Sequence, residues 1–255
     1  MCGIKTLKPA DINILVVDDE PLILETIGSL FERFQFQVSI SHSGNEAWNL
    51  VEKNNYNIIL TDVRMPDGDG IELTKKVKAR NENRTSVLFM SGFSDVLNEE
   101  IYHIGAEGKF TKPFDTNAVR EAIQKCLLAP EAKWAQKTPT GPRLVTIEKK
   151  GLSISELESQ KAVLFGRGGF FISHAYVPPA RGSIILFSIE ILNPKPATFR
   201  GAGIVRWIQT MGKNMTPGLG VEITSMSEPE AKLYHQLFGN LIPFIPSLAR
   251  TNNQK

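Results

Sequence analysis

Ile59-Leu60-Thr61-Asp62-Val63-Arg64-Met65-Pro66-Asp67-Gly68-Asp69-Gly70 is an apolar run that ends in a carboxylate and passes at once into a Pro/Gly-rich loop. The run from Asn57 to Thr61 is short, rich in Ile and Leu, and lacks polar alternation. That is the pattern of a parallel strand buried on both faces. Open α/β sheets place their reactive groups at the carboxyl ends of such strands. Asp62 stands at that end, where the sheet would present a reactive carboxylate.

Outward from this stretch the same unit recurs. Ile12 to Val17 reads as a buried strand ending in Asp18-Asp19-Glu20, and Pro21 suits the first turn of a helix. Ile23, Ile27, Leu30, Phe31 and Phe34 give that helix an apolar stripe. Gln37 to Ile40 is a second strand, and Ser43-Gly44-Asn45-Glu46 is a capping-box signature for the helix that follows. Gly70 opens a helix through Leu73 and Val77, and Ser86 to Met90 is a fourth strand, ending in Ser91-Gly92. Val96, Leu97, Ile101 and Ile104 form a weaker helix, and Lys109-Phe110-Thr111 is a short fifth strand before Lys112-Pro113-Phe114. A last helix carries Ala118, Val119, Ala122, Ile123, Cys126 and Leu127. Strand–helix alternation repeated five times in about 120 residues predicts a parallel sheet covered by helices on both faces.

In such a sheet Asp18-Asp19, Asp62, Ser91 and Lys112 share one edge. Singly, each is a common feature of a turn or a strand exit. Jointly, three carboxylates repel one another unless a cation joins them, and an all-oxygen set with open positions suits Mg²⁺. Asp62 would then attack as nucleophile to form an acyl phosphate, with Lys112 and the Ser91 hydroxyl holding phosphoryl oxygens.

At 255 residues, 42% hydrophobic and 22% charged, the chain has material for one large or two ordinary domains. No run approaches the roughly 18 apolar residues of a membrane span. Met1 to Asp11 shows no signal pattern, so cytoplasmic residence without membrane insertion is expected. Cys2 and Cys126 lie far apart and fit no metal spacing. Residues 1–128 carry 14 Lys/Arg against 19 Asp/Glu, a net of −5, while residues 129–255 carry 15 against 8, a net of +7, with no Asp. Opposite-sign halves point to two domains with different partners.

Residues 11–128 resemble the receiver domain of two-component response regulators. The resemblance rests on Leu15-Val16-Val17-Asp18-Asp19, the stretch from Asp62 to Gly70, Ser91-Gly92 and Lys112-Pro113-Phe114. It implies a flavodoxin-like (βα)5 fold with strand order 2-1-3-4-5. It further implies Asp62 as phosphoacceptor and Asp18 and Asp19 as the acidic Mg²⁺ pair, with the backbone carbonyl of Arg64 as another ligand. Ser91 and Lys112 become the phosphoryl-sensing residues, and a histidine kinase or phosphotransfer protein the donor. The family usually carries an aromatic residue three positions before the lysine. Here that position is Lys109, the switch candidate, with Phe110 next to it and expected in the core. Arg64 and Phe93 are expected to flank the path of attacking water.

Residues 129–142, with Pro130, Pro139 and Pro142, read as a linker whose beginning, Glu131 to Gln136, can extend the preceding helix. Beyond it the period changes to two. Leu144–Glu148, Lys161–Phe165, Gly168–Ser173, Ile185–Ile191, Gly201–Ile208 and Gly218–Ile223 read as strands of a small antiparallel barrel or sandwich. Ser227-Glu228-Pro229-Glu230 caps a closing helix with Ala231, Leu233, Tyr234, Leu237 and Phe238. Gly166-Arg167-Gly168-Gly169-Phe170-Phe171-Ile172, Gly203-Ile204-Val205-Arg206-Trp207 and Pro217-Gly218-Leu219-Gly220-Val221-Glu222 make residues 143–240 look like a PilZ domain, a family of cyclic di-GMP receptors. The resemblance would require an Arg-rich segment and an Asp/Asn-x-Ser motif. The matching positions are Leu164 and Gly166, and only Arg143 and Arg167 stand as weak candidate ligand residues. The expectation is a degenerate PilZ-like module for protein contact, with cyclic di-GMP binding as the alternative. Residues 241–255 form an apolar strip, Leu241 to Leu248, expected to pack back onto the barrel or the receiver, with a partner-docking strip as the alternative, then a tail from Thr251 expected to be disordered.

The leading reading is a phosphorelay response regulator that signals through an output partner or a phosphorylation-dependent homodimer. Against it stand a basic DNA-binding output, for which there is no helix-turn-helix pattern, and an enzymatic output, for which the second half offers no Asp and only His174 and His235.

Overall fold

The structure, a computed structural model, describes residues 8–80, 85–92, 97–135, 137–140, 144–159, 162–173, 178–193, 195–210 and 216–247. Arg143, Phe93, His174 and the tail from Thr251 lie outside them. The chain divides into two compact units, Met1–Ala129 and Pro130–Lys255.

In the first unit the order is β1 (Asn13–Val17), α1 (Pro21–Arg33), β2 (Gln37–Ser41), α2 (Gly44–Lys53), β3 (Ile58–Asp62), α3 (Gly70–Arg80), β4 (Ser86–Ser91), α4 (Asn98–His103), β5 (Gly108–Thr111) and α5 (Thr116–Leu127). The strands are parallel in the order β2-β1-β3-β4-β5, as the flavodoxin-like reading requires. Alternate residues of each strand serve different faces. Leu15, Val17, Ile59 and Phe89 meet Ala47, Leu73, Val77 and Ile101 on one side. Ile14, Val16, Ile58, Leu60, Leu88 and Met90 meet Leu24, Ile27, Phe31, Val119 and Ile123 on the other. Burial on both faces is why the central strands β1, β3 and β4 carry no polar alternation, while the edge strand β2 alternates Gln37-Val38-Ser39-Ile40-Ser41. Phe110, expected in the core, is only partly buried against the second cluster. At the end of the sheet away from Asp62, Lys78 Nζ is buried with Glu107 at 3.0 Å and donates to Thr85 O at 2.7 Å. Glu107 in turn accepts from Val87 N at 2.7 Å, so the pair fastens α3 to the starts of β4 and β5.

The second unit runs α6 (Pro130–Lys133), β6 (Val145–Leu152), α7 (Ile154–Ser159), β7 (Val163–Phe165), β8 (Gly169–Ser173), β9 (Ile184–Ile191), β10 (Ala197–Gln209), β11 (Gly218–Met226) and α8 (Glu228–Phe238). Among the described residues its six strands pair in the order β6-β9-β10-β11-β8-β7. The expected antiparallel barrel is corrected here: β6 runs parallel to β9, so the sheet is mixed, and it is an open half-barrel with β6 and β7 at its edges. The parallel pair is possible because a long crossover, with α7, β7 and β8, separates the two strands. The sheet curls enough for Lys149 Nζ on β6 to donate to Ser173 Oγ on β8 at 3.2 Å. Ile185, Phe187, Ile189 and Ile191 alternate into a core closed by Ala231, Tyr234 and Phe238 of α8.

The stretch expected as linker differs most. Trp134 is 3% exposed, inside the second unit's core. Its ring stacks on His235 at 4.4 Å and meets Tyr234 edge-on at 5.3 Å, and its carbonyl accepts from Met226 N at 3.0 Å. Since α5 ends at Leu127, only Leu128 and Ala129 separate it from the first residue of the second unit. The proline content disguised one large indole that finds a pocket. No described helix is long and apolar enough to cross a membrane.

Trp134→Ala should destabilise the second unit by about 3–5 kcal/mol, the usual cost of truncating a buried aromatic. Urea unfolding followed by unit-specific probes should show that transition move while the transition of Met1–Ala129 stays in place. Two unmoved transitions would return the segment to the status of a linker.

Candidate functional site

Strands β1, β3, β4 and β5 are neighbours and parallel, so their carboxyl ends bring Asp18, Asp19, Asp62, Ser91 and Lys112 to one edge. One carboxylate oxygen from each of Asp18, Asp19 and Asp62 lies within 4.8 Å of the others. Asp18 is fully buried, Asp62 partly so, and Asp19 exposed. Lys112 Nζ joins two of them, at 2.7 Å from Asp18 Oδ2 and 3.0 Å from Asp62 Oδ2, with Glu20 at 3.9 Å. Asp18 Oδ1 also accepts from Glu20 N at 3.0 Å, and Asp62 Oδ1 from Val63 N at 2.6 Å.

Burial pushes the Asp18 carboxyl above its ordinary value, and the hydrogen bonds from Lys112 and Glu20 N offset only part of that push. Burial pulls the Lys112 ammonium down, but its hydrogen bonds to Asp18 and Asp62 and their charges together outweigh it, so its pKa ends above the ordinary value. Lys112 therefore stays charged between its partners. Its single positive charge does not balance three carboxylates. A hard dication is the chemical complement of this oxygen set, and Mg²⁺ fits it: Asp18, Asp19 and Asp62 supply oxygens with one side open to water.

The loop after β3 is anchored from outside. Gly44 N donates to Gly68 O at 2.9 Å, and Asn45 N to Asp67 O at 3.2 Å. Asp67 Oδ1 accepts from Asn45 Nδ2 at 2.9 Å, and Asp67 Oδ2 from Ser43 Oγ at 3.2 Å. Gly68 has φ +84°, a conformation that glycine adopts without strain. A Cβ at Gly70 would come within 2.1 Å of Asp62 O, so that position tolerates no side chain. Asp69 Oδ1 accepts from Glu72 N at 2.8 Å at the start of α3. Ser43, Asn45 and Asp67 thus hold the Asp62 loop against α2. The sequence reading treated Ser43 only as a cap, which it is, accepting from Glu46 N at 3.1 Å. Asp67, set between Pro66 and Gly68, was the available signal.

The other nominated residues are placed as follows. Ser91 is buried at the edge, with its hydroxyl donating to Gly92 O at 2.8 Å and its carbonyl accepting from Lys112 N at 2.8 Å. The Arg64 side chain is 62% exposed and reaches Asp69 Oδ2 at 3.5 Å. Lys109 lies within β5, partly buried, paired in register with Phe89. In the second unit Arg167 stands over the Phe244 ring at 5.3 Å.

Comparison with known proteins bears on the first unit. Residues 14–124 match the family model of the response regulator receiver domain. Sporulation initiation phosphotransferase F of Bacillus subtilis is 32% identical over 116 residues, covering 45% of this chain and 93% of that protein. Transcriptional regulatory protein SrrA of Staphylococcus aureus is 30% identical over 143 residues, covering 56% of this chain and 58% of that protein, so the match spans little more than half of it. Among solved structures, a receiver domain protein from Clostridium thermocellum aligns at 26% identity over 46% of this chain and 94% of that one, with a TM-score of 0.43.

Lys112→Met removes the groups' shared counter-charge and leaves the burial of Asp18 nearly unopposed. Its folded pKa then rises further above 3.8, and the penalty on the charged form is relieved as pH falls through the folded value. In metal-free buffer the variant should lose about 2–3 kcal/mol at neutral pH, a low figure because Asp62 and Lys112 are partly open to solvent. That deficit should shrink as the pH is lowered toward about 4. Urea midpoints across pH read this directly, and a deficit constant with pH would contradict the electrostatic role of Lys112.

Proposed function

The chain belongs to the response regulator family through the receiver domain at residues 14–124, and from that premise we propose that it accepts a phosphoryl group on Asp62 from a histidine kinase or phosphotransfer protein. The observation that carries the proposal is Lys112 Nζ bonded at once to Asp18 and Asp62, at the open edge where three carboxylates meet.

Each residue has a role in this reading. Val63 N and Lys112 orient the Asp62 carboxylate from its two oxygens. An Asp62 oxygen forms the new O–P bond as the donor's P–N bond breaks, and the donor imidazole leaves with its electron pair. Lys112 keeps its ammonium beside the incoming phosphoryl oxygens, where it balances charge that the two carboxylates no longer fill. The Ser91 hydroxyl turns from Gly92 O to a phosphoryl oxygen, which makes it a reporter of the event. Mg²⁺ held by Asp18, Asp19, Asp62 and the Arg64 carbonyl would neutralise further oxygen charge. Lys109 takes the place of the usual aromatic switch, so the outward signal runs through charge contacts on β5.

For the second unit the reading is a degenerate PilZ-like module that relays the state of the receiver by protein contact or by homodimerisation, not by catalysis. Support comes from the three glycine-bearing strand segments and the capped helix α8 after the sheet. Cyclic di-GMP binding is the second reading. Its motif positions are occupied by Leu164 and Gly166, neither of which offers a side-chain hydrogen bond.

Incubation with acetyl phosphate and Mg²⁺ should give an acid-stable, base-labile adduct on the intact protein that Asp62→Asn abolishes, read by mass spectrometry. Absence of the adduct would sink the phosphoacceptor reading. Calorimetry with cyclic di-GMP should show no binding heat, and tight binding would replace the protein-contact reading of the second unit.

A further inference from the structure

The turn Gly166-Arg167-Gly168-Gly169 between β7 and β8 carries the chain's own C-terminal segment. Arg167 N donates to Pro243 O at 2.9 Å, and Gly168 N donates to Phe244 O at 3.0 Å. Gly166 and Gly168 make room for that segment, whereas the nearest neighbour of a Cβ at Gly169 is Val221 O on β11 at 2.1 Å. A Cβ at Gly168 would stand 2.0 Å from Phe244 Cε2, one at Gly166 would stand 2.7 Å from Pro243 O and Phe244 O, and one at Gly169 would stand 2.9 Å from Ile245 Cγ1. The Arg167 guanidinium covers the Phe244 ring at 5.3 Å, a cation–π contact. Ile245 is completely buried, and Ser247 nearly so.

From the sheet side the turn is held by a second set of hydrogen bonds that do not involve the tail. The Tyr234 hydroxyl lies 2.9 Å from both Gly166 O and Gly169 O. Gly166 N donates to Gly169 O at 2.8 Å, and Ile223 N to Gly168 O at 3.0 Å. Leu241 packs at the margin of the core below, and Ile245 is itself fully buried. The tail therefore docks on a turn that β11 and α8 also hold, and it supplies acceptors for the two N–H groups of Arg167 and Gly168. Pro243 and Pro246 bracket the contact. Lacking N–H groups, they stop the segment from continuing as a strand, and their fixed φ lowers the entropy lost on docking.

We propose that the Gly166–Gly169 turn is a seat for an extended, proline-bracketed apolar peptide, with Pro243–Pro246 as its exchangeable occupant in cis. Occupied, the seat is closed to any other ligand of the turn. Vacated, it offers two backbone donors, a glycine floor for one aromatic ring and an arginine to cover that ring. The proposal goes beyond phosphoryl transfer and does not depend on it.

The test uses the full chain and amide hydrogen exchange at Arg167 and Gly168. Phe244→Ala should speed exchange at these two amides by at least about tenfold while β10 and β11 keep their protection. A synthetic peptide of Leu241–Ser247, added in excess, should restore their protection. In the double variant Gly168→Ala with Phe244→Ala, the new methyl occupies the place of the ring, and the same peptide should restore nothing. Unchanged exchange in Phe244→Ala would overturn the proposal. So would a loss of protection spread evenly over β10 and β11, which would make the tail part of the core. Failure of the peptide to restore protection in Phe244→Ala would overturn it as well.

Discussion

A single ammonium between two carboxylates holds the receiver edge together. Lys112 follows the fifth strand, Asp18 the first, and Asp62 ends the third, so their meeting depends on the whole strand order of the sheet. The strand order in turn depends on cores of matched apolar layers on both faces. Burial makes the arrangement costly: Asp18 is drawn fully out of water, and its carboxyl is pushed upward in spite of Lys112. An edge under this tension responds strongly to an added anion, because every new charge there changes which partner Lys112 serves.

Much of this edge was legible in the residues alone. Strands with no polar alternation announce burial on two faces, and a strand that ends in Asp, Ser or Lys announces what it delivers. The direction of β6 was not legible, because periodicity identifies a strand without saying which neighbour it joins or which way it runs. Nor was the second role of Ser43, since capping α2 and holding Asp67 need the same side chain in two contexts, only one of them local. Lys78 reads as one more surface lysine, and only the tertiary position of Glu107, 29 residues away, puts it inside.

The glycines of the second unit separate a family pattern from its physical cause. At Gly220 a side chain would collide with the Trp207 ring at 2.0 Å, and at Gly218 with Phe171 at 2.3 Å. Those rings stack at 5.5 Å. The glycines of β11 thus admit an aromatic pair on the sheet face opposite the core, Gly166 and Gly168 of the β7–β8 turn admit the tail, and Gly169 admits the backbone of β11. Both sets are explained by close approaches within this chain, to rings at Gly168, Gly218 and Gly220 and to backbone carbonyls at Gly166 and Gly169.

Trp134 also decides where this protein can be cut and rejoined. The Pro-rich stretch near Thr138–Thr140 looks like the convenient joint for grafting a different sensor onto the second unit, or a different effector onto the receiver. A splice there would leave the indole on the receiver fragment and an empty aromatic slot beside Tyr234 and His235 in the other. The workable joint is the pair Leu128–Ala129, which lets each transplanted piece carry its complete set of packing residues.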